Sequence, residues 1–233
     1  MLPLEKGLLV DLWGTLFYPS VSLEEYHLRR AECLSRVLGL PLESVYEAYT
    51  HARRLSDAVR TWSMREVDVV GEVVMMLAKL GVEPERRLVE KLVEAYMTPY
   101  VNLLQVAEGA AELLESAREA GYKIVLASNT LSSKHTVLLL RRAGLYSYFD
   151  FMALSDSIGF RKPHPRFFSH VILGAGISPQ RSIFLGDEES DVVGAQQFGM
   201  TTVVYTGFHE YKGSAKPSFA TSRLLDVIGL LRG

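Results

Sequence analysis

The chain has 233 residues, of which 48% are hydrophobic and 22% charged, and its formal net charge at pH 7 is −2. That composition belongs to a globular protein long enough for one large domain, or for a core with a smaller appendage. A charge this close to zero gives no bulk attraction for nucleic acid or an anionic membrane, so any bound anion must be held by a local site. The lone cysteine, Cys33, excludes a disulfide within the chain and a cysteine-based zinc site, and reads as a small core residue. The N-terminal MLPLEKGLLVDLW lacks the basic region and long apolar stretch of a signal peptide, and no apolar run reaches the length of a membrane span. The expectation is a cytoplasmic protein without a membrane partner.

Taken in chain order, GLLVDLW at 7–13 predicts a first buried strand. Residues 17–103 have a different texture, with about four helices and no good strand. Ser22 with Glu25, and Ser63 with Glu66, have the spacing of capping boxes, and Pro84 sits where the first turn of another helix would begin. Val69, Val70, Val73, Met76, Leu77 and Leu80 recur at helical spacing and read as a core-facing stripe. From residue 104 onward short apolar runs at 123–128, 151–155, 182–187 and 201–206 alternate with helical stretches at 108–120, 133–143, 165–173 and 190–198. Gly121, Gly144, Gly176 and Gly199 stand where C-terminal caps are expected. Residues 207–217 are turn-rich, and 222–231 predict a closing helix. Strands alternating with helices imply a parallel sheet covered on both faces. The expected fold class is α/β: a doubly wound parallel sheet built from 1–16 and 104–233, with a helical module, 17–103, inserted after the first strand.

Ligands of open α/β sheets gather at the carboxyl ends of the strands. Four groups stand there. The first strand ends in Asp11-Leu12-Trp13-Gly14-Thr15-Leu16 and the second in Ser128-Asn129-Thr130. Gly159-Phe160-Arg161-Lys162-Pro163-His164-Pro165 follows the third, and Gly186-Asp187-Glu188-Glu189-Ser190-Asp191 ends the fourth. Each group alone has a plain explanation as a turn, a helix cap or a solvated loop. Their order at successive strand ends is what marks a site.

These four groups resemble, in the same order, the four motifs of the haloacid dehalogenase-like (HAD) superfamily, and the insertion is similar to that family's helical cap of the first type. The resemblance implies that Asp11 is a nucleophile forming an aspartyl intermediate, that Ser128 hydrogen-bonds the transferring group, and that Lys162 neutralises charge on it and on Asp11. It implies a Mg²⁺ ion held by Asp11, the backbone carbonyl of Trp13 and Asp187, with Asp191 supporting that site. Gly14, Thr15 and Asn129 join Trp13 as residues beside the substrate, a small phosphorylated metabolite. The chemistry is coherent: a carboxylate attacking a phosphoryl group must overcome anion–anion repulsion, which a lysine and Mg²⁺ relieve.

One position departs from the family's phosphatases, which usually carry a second Asp two residues after the nucleophile. Here it is Trp13. Indole is no acid or base at neutral pH, and losing a positioned proton donor typically costs about 10²–10⁴-fold in rate. Three readings follow. In the first, the chain is a phosphohydrolase with a substitute acid, His164, Glu188, Glu189 and Tyr18 being the candidates near the motifs, or with a leaving group that needs little protonation. The second is a non-catalytic relative that binds a phosphorylated ligand or a protein. The third is a metal-independent 2-haloacid dehalogenase, since that branch carries an aromatic residue at this position; the crowded carboxylates of GDEESD count against it, because they call for a cation. Arg53, Arg54, Arg60 and Arg65 offer a cation to an anionic substrate or form a solvated helix face.

Overall fold

The computed structural model describes residues 4–232. Gly7–Val10 (β1) is buried along its whole length, as expected of a strand covered on both faces. It is followed by Phe17–Pro19 (β2), the helices Leu23–Leu38 (α1), Leu42–Ser63 (α2), Val69–Leu80 (α3) and Arg86–Asn102 (α4), and the strand Leu104–Val106 (β3). The chain continues through Ala110–Glu119 (α5), Lys123–Ser128 (β4), Ser133–Arg142 (α6), Phe151–Leu154 (β5), Ser155–Ile158 (α7) and Pro165–Ala175 (α8). It ends with Ile183–Gly186 (β6), Glu189–Gln196 (α9), Thr201–Tyr205 (β7), Phe219–Thr221 (β8) and Ile228–Leu231 (α10).

Among the described residues the main sheet has six strands in the order β5-β4-β1-β6-β7-β8, paired in parallel throughout. The strand that comes first in sequence therefore lies inside the sheet, between β4 and β6. On one face Leu9, Val125, Ala127 and Phe184 pack with Phe167, Phe168 and Val171 of α8. The four predicted glycine caps adopt positive φ, from 67° to 77°, a region that glycine enters without the Cβ penalty.

Two compact units are distinguished. One comprises the chain up to Tyr18, Val106–Asn129 and everything from Leu140 onward; the other comprises Pro19–Gln105 and Thr130–Leu139. The first holds the six-stranded sheet. In the second, α1 to α4 pack around Tyr26, Leu34, Tyr49, Val73, Met76, Leu77 and Tyr96, all buried; of the expected α3 stripe Val69, Val73, Met76 and Leu77 are core, whereas Val70 is exposed and Leu80 only partly buried. β2 and β3 pair with each other at the points where the chain passes between the units.

Local readings differ from the structure in four places. Ser63 is the last residue of α2, and its hydroxyl donates back to the Val59 carbonyl. The next helix is capped instead by Asp68, whose side chain accepts from the Gly71 N–H. Pro84 precedes the cap of α4, Glu85, rather than opening the helix. The short strands β2, β3 and β8 were not expected from the sequence; at three residues each they are too brief for alternation to register. Arg60 is neither a solvated side chain nor a free cation. It is buried and paired with Asp57, Glu66 and Glu72 within the helical unit.

Candidate active site

The first strand places its terminal carboxylate by continuing the ladder: the Asp11 N–H donates to the Leu185 carbonyl at 2.9 Å. The chain then turns within the next few residues. Gly14 adopts φ +80° and its N–H donates to the Phe17 carbonyl at 2.7 Å, while the N–H groups of Leu16 and Phe17 both return to the Leu12 carbonyl. Glycine is required there twice over, because a Cβ at Gly14 would also collide with the Asp187 carboxylate. Gly186, one residue before Asp187, has the same restriction: a Cβ there would strike the Asp191 carboxyl group.

That tight backbone brings the motif residues of the first unit together. The Lys162 ammonium lies 2.8 Å from Asp11 Oδ1 and 2.7 Å from Asp191 Oδ1. Asp191 Oδ2 accepts from the backbone N–H groups of Asp187 and Glu188, each at 3.1 Å, in the capping box that starts α9. Thr15 donates its hydroxyl to Asp187 Oδ1 at 2.9 Å. Asn129 holds the lysine loop from both sides: its Oδ1 accepts from the Lys162 N–H at 2.8 Å and its Nδ2 donates to the Lys162 carbonyl at 3.3 Å. Ser128 is buried at the end of β4. Trp13 is half-buried and bridges to Phe17.

The electrostatics follow from burial. Asp11, Asp187 and Asp191 offer ligand oxygens that all lie within 4.8 Å of one another. Burial and then the neighbouring charges of Asp11 and Asp191 push the Asp187 carboxyl well above the ordinary range. Burial does the same to Asp191, with Lys162 opposing it. Burial alone would lower the Lys162 pKa; Asp11 and Asp191 outweigh it and hold the ammonium charged. With all three carboxylates ionised, one lysine would leave a surplus of negative charge, which is why their protons are held tightly and why such a cluster favours a cation in their place. The donor set, carboxylate oxygens in a compact polar site, suits a hard divalent ion such as Mg²⁺.

Three of the four substitute acids suggested by the sequence are engaged in building the scaffold. His164 caps α8 and accepts from the Arg166 N–H. Glu188 caps α9, and Glu189 accepts from the Ser214 hydroxyl and the N–H groups of Ser214 and Ala215. Tyr18 stacks on Phe208, ring centroids 5.7 Å apart.

The residue that sequence reasoning missed is His209. Its Nε2 lies 2.7 Å from Asp187 Oδ2, and its Nδ1 faces the Glu210 carbonyl at 3.0 Å. The signal was present: His209 follows β7, another strand of the same sheet, and the rule that sites form at carboxyl ends of strands applies to that end as well.

Comparison with known proteins gives a consistent picture. The model of the haloacid dehalogenase-like hydrolases matches residues 20–205. The chain is 28% identical to a glyceraldehyde 3-phosphate phosphatase of Methanopyrus kandleri over 235 residues, covering 96% of this chain and 97% of the relative. The crystal structure of an HAD phosphatase from Thermococcus onnurineus superposes with a TM-score of 0.68 at 25% identity, covering 98% of both chains. An L-2-haloacid dehalogenase from Xanthobacter autotrophicus superposes with a TM-score of 0.67 at 21% identity, covering 98% of this chain and 99% of that one; at that identity the likeness concerns the fold. Among the described residues, no helix is long and apolar enough to cross a membrane.

Proposed function

The chain belongs to the haloacid dehalogenase-like hydrolases, and from that premise we propose that it is a Mg²⁺-dependent phosphohydrolase acting through an aspartyl-phosphate at Asp11. The observation that carries this reading is the surplus of buried carboxylates over the single lysine: Asp11, Asp187 and Asp191 against Lys162. A dehalogenase that works without metal has no use for that surplus. The curated relative is named for a three-carbon phosphate, which makes small phosphorylated metabolites of that size the substrate class to test first. Residues 17–103 are assigned as the cap that selects among them.

In the proposed reaction an Asp11 carboxylate oxygen attacks phosphorus, and the bond to the leaving oxygen breaks with its electron pair. Lys162 balances charge on Asp11 and on the transferring group, and its own position is fixed by Asp191 and by the Asn129 amide. Ser128 donates a hydrogen bond to a phosphoryl oxygen. Asp187, with Asp11 and the Trp13 carbonyl, would hold Mg²⁺, and the Thr15 hydroxyl fixes which way Asp187 faces. When bound, Mg²⁺ supplies charge neutralisation on the phosphoryl oxygens. Water then cleaves the Asp11–phosphorus bond and releases inorganic phosphate. Trp13 offers no proton to the leaving oxygen, so substrates with stabilised leaving groups are expected to turn over faster.

The test is phosphate release from alkyl, aryl and acyl phosphates, with and without Mg²⁺, alongside Asp11→Asn. Turnover that requires both Mg²⁺ and Asp11, with aryl and acyl phosphates favoured, is the expected result. Halide release from a 2-haloacid in excess chelator would establish the dehalogenase instead. Thermal stabilisation by a phosphorylated compound with no turnover anywhere in the panel would establish a binding protein.

A further inference from the structure

The imidazole of His209 faces Asp187 from the loop after β7. Its Nδ1 lies 3.0 Å from the Glu210 carbonyl. A carbonyl only accepts, so Nδ1 carries the hydrogen, and a neutral imidazole then directs its Nε2 lone pair at Asp187 Oδ2, 2.7 Å away. A metal-ligating histidine typically donates its other N–H in this way, which fixes both tautomer and ring orientation. Two acceptor atoms facing each other at that distance are held there by a hydrogen or a metal ion between them. The separation also approaches the spacing of neighbouring ligand atoms in an octahedron around a small divalent ion, about 3 Å for bonds of about 2.1 Å.

Three oxygens nearby are already committed. Asp187 Oδ1 accepts from Thr15, and both oxygens of Asp191 are taken up by Lys162 and by backbone N–H groups. Oδ2 is thus the oxygen of Asp187 turned toward the imidazole. The loop that carries His209 is anchored by aromatic packing, Phe208 stacking on Tyr18 and meeting the His209 ring edge-on at 5.6 Å. The imidazole therefore sits on a supported backbone although its side chain is 41% exposed.

We propose that His209 is a nitrogen ligand of the metal site, placed beside Asp187 Oδ2, and that it tilts the site from Mg²⁺ toward first-row transition ions. This rests on the reading of Asp11 and Asp187 as metal ligands. An all-oxygen site suits Mg²⁺, whereas imidazole brings affinity for ions such as Ni²⁺, Co²⁺ and Zn²⁺.

The experiment loads the purified full chain with Mn²⁺ and reads nitrogen hyperfine coupling by pulsed electron paramagnetic resonance. Calorimetric titration with Ni²⁺ and Mg²⁺ accompanies it, and the wild type is compared with His209→Gln and Asp187→Asn. Expected are a ¹⁴N coupling in the wild type, its loss in His209→Gln with Mn²⁺ still bound, and a fall in Ni²⁺ affinity of about 10–100-fold against a much smaller change for Mg²⁺. If Mn²⁺ binds in an Asp187-dependent way without ¹⁴N coupling, or the coupling survives in His209→Gln, the ligand assignment is overturned and the metal reading stands. If the wild type binds no Mn²⁺, both fall together.

Discussion

Gly14 carries two constraints in one residue, a left-handed backbone and the space that the Asp187 carboxylate occupies. Gly14→Ala is expected to lose about 1–2 kcal/mol from the backbone alone, readable as a lower denaturant midpoint with an unchanged slope. It should also lower metal affinity, because Asp187 must move. Asp11, Ser128 and Asp187 were legible in the sequence because each ends or directly follows an apolar run of strand character, and Lys162 and Asp191 because they follow such runs in the order of the family's motifs. His209 was not, because the segment after 201–206 is rich in turn residues and its glycine, serine and proline content hid a side chain aimed back at the sheet. Asn129 was legible as a site residue but not in its particular contacts: nothing in the sequence indicates that its amide embraces the backbone of Lys162.

At the level of elements, the periodic segments were read well and the punctuation between them less so. Apolar runs and glycine caps located β1, β4, β5, β6 and β7 to within a few residues of their ends. The Ser63–Glu66 pair misled because the same spacing serves a helix end, where Met64 takes a left-handed turn at φ 52° and Glu66 turns inward to Arg60. Arg60 illustrates why charge patterning alone misreads a helix: its three acidic partners come from α2, the following loop and α3, and only folding brings them together. Tyr96 of α4 extends this network by donating its hydroxyl to Glu72. Replacing Arg60 with Met removes the cation and leaves Glu66 and Glu72 buried without it. The expected loss is about 3–5 kcal/mol, measured by urea unfolding followed by circular dichroism; the double replacement Arg60→Met with Glu72→Gln should recover part of it, as expected for coupled groups.

For the whole molecule, the crowded carboxylates link stability to pH and, on the proposed function, to metal. Asp187 has its pKa pushed up to about 9 in the folded chain, against about 3.9 for an unperturbed aspartate. The folded state therefore binds that proton more tightly than the unfolded state does. The resulting stability is full below about pH 4 and is lost as pH rises through neutrality toward the native value. Protonation of ion-paired carboxylates elsewhere acts in the opposite sense in acid, so the cleanest window is pH 6 to 9. There the metal-free protein should show a falling Tm, and Asp187→Asn should flatten the slope. A divalent ion should reverse it, adding about 2.7 kcal/mol at a hundredfold excess over Kd; scans with Mg²⁺ and with chelator at each pH give the comparison. A slope that is the same in wild type and Asp187→Asn would remove Asp187 as its source.

The position of β1 inside the sheet also bears on how the protein is made. A ribosome delivers this strand before both its neighbours: Lys123–Ser128 emerges only after the helical segments α1 to α5, and Ile183–Gly186 later still. Until then GLLV is an apolar ribbon with both edges open, the kind of segment that invites pairing with another nascent chain. Thr15 must likewise wait for Asp187, 172 residues later, before the two can hydrogen-bond. Translation speed and chaperone supply should thus govern the yield of this protein through β1, the strand that leads into Asp11.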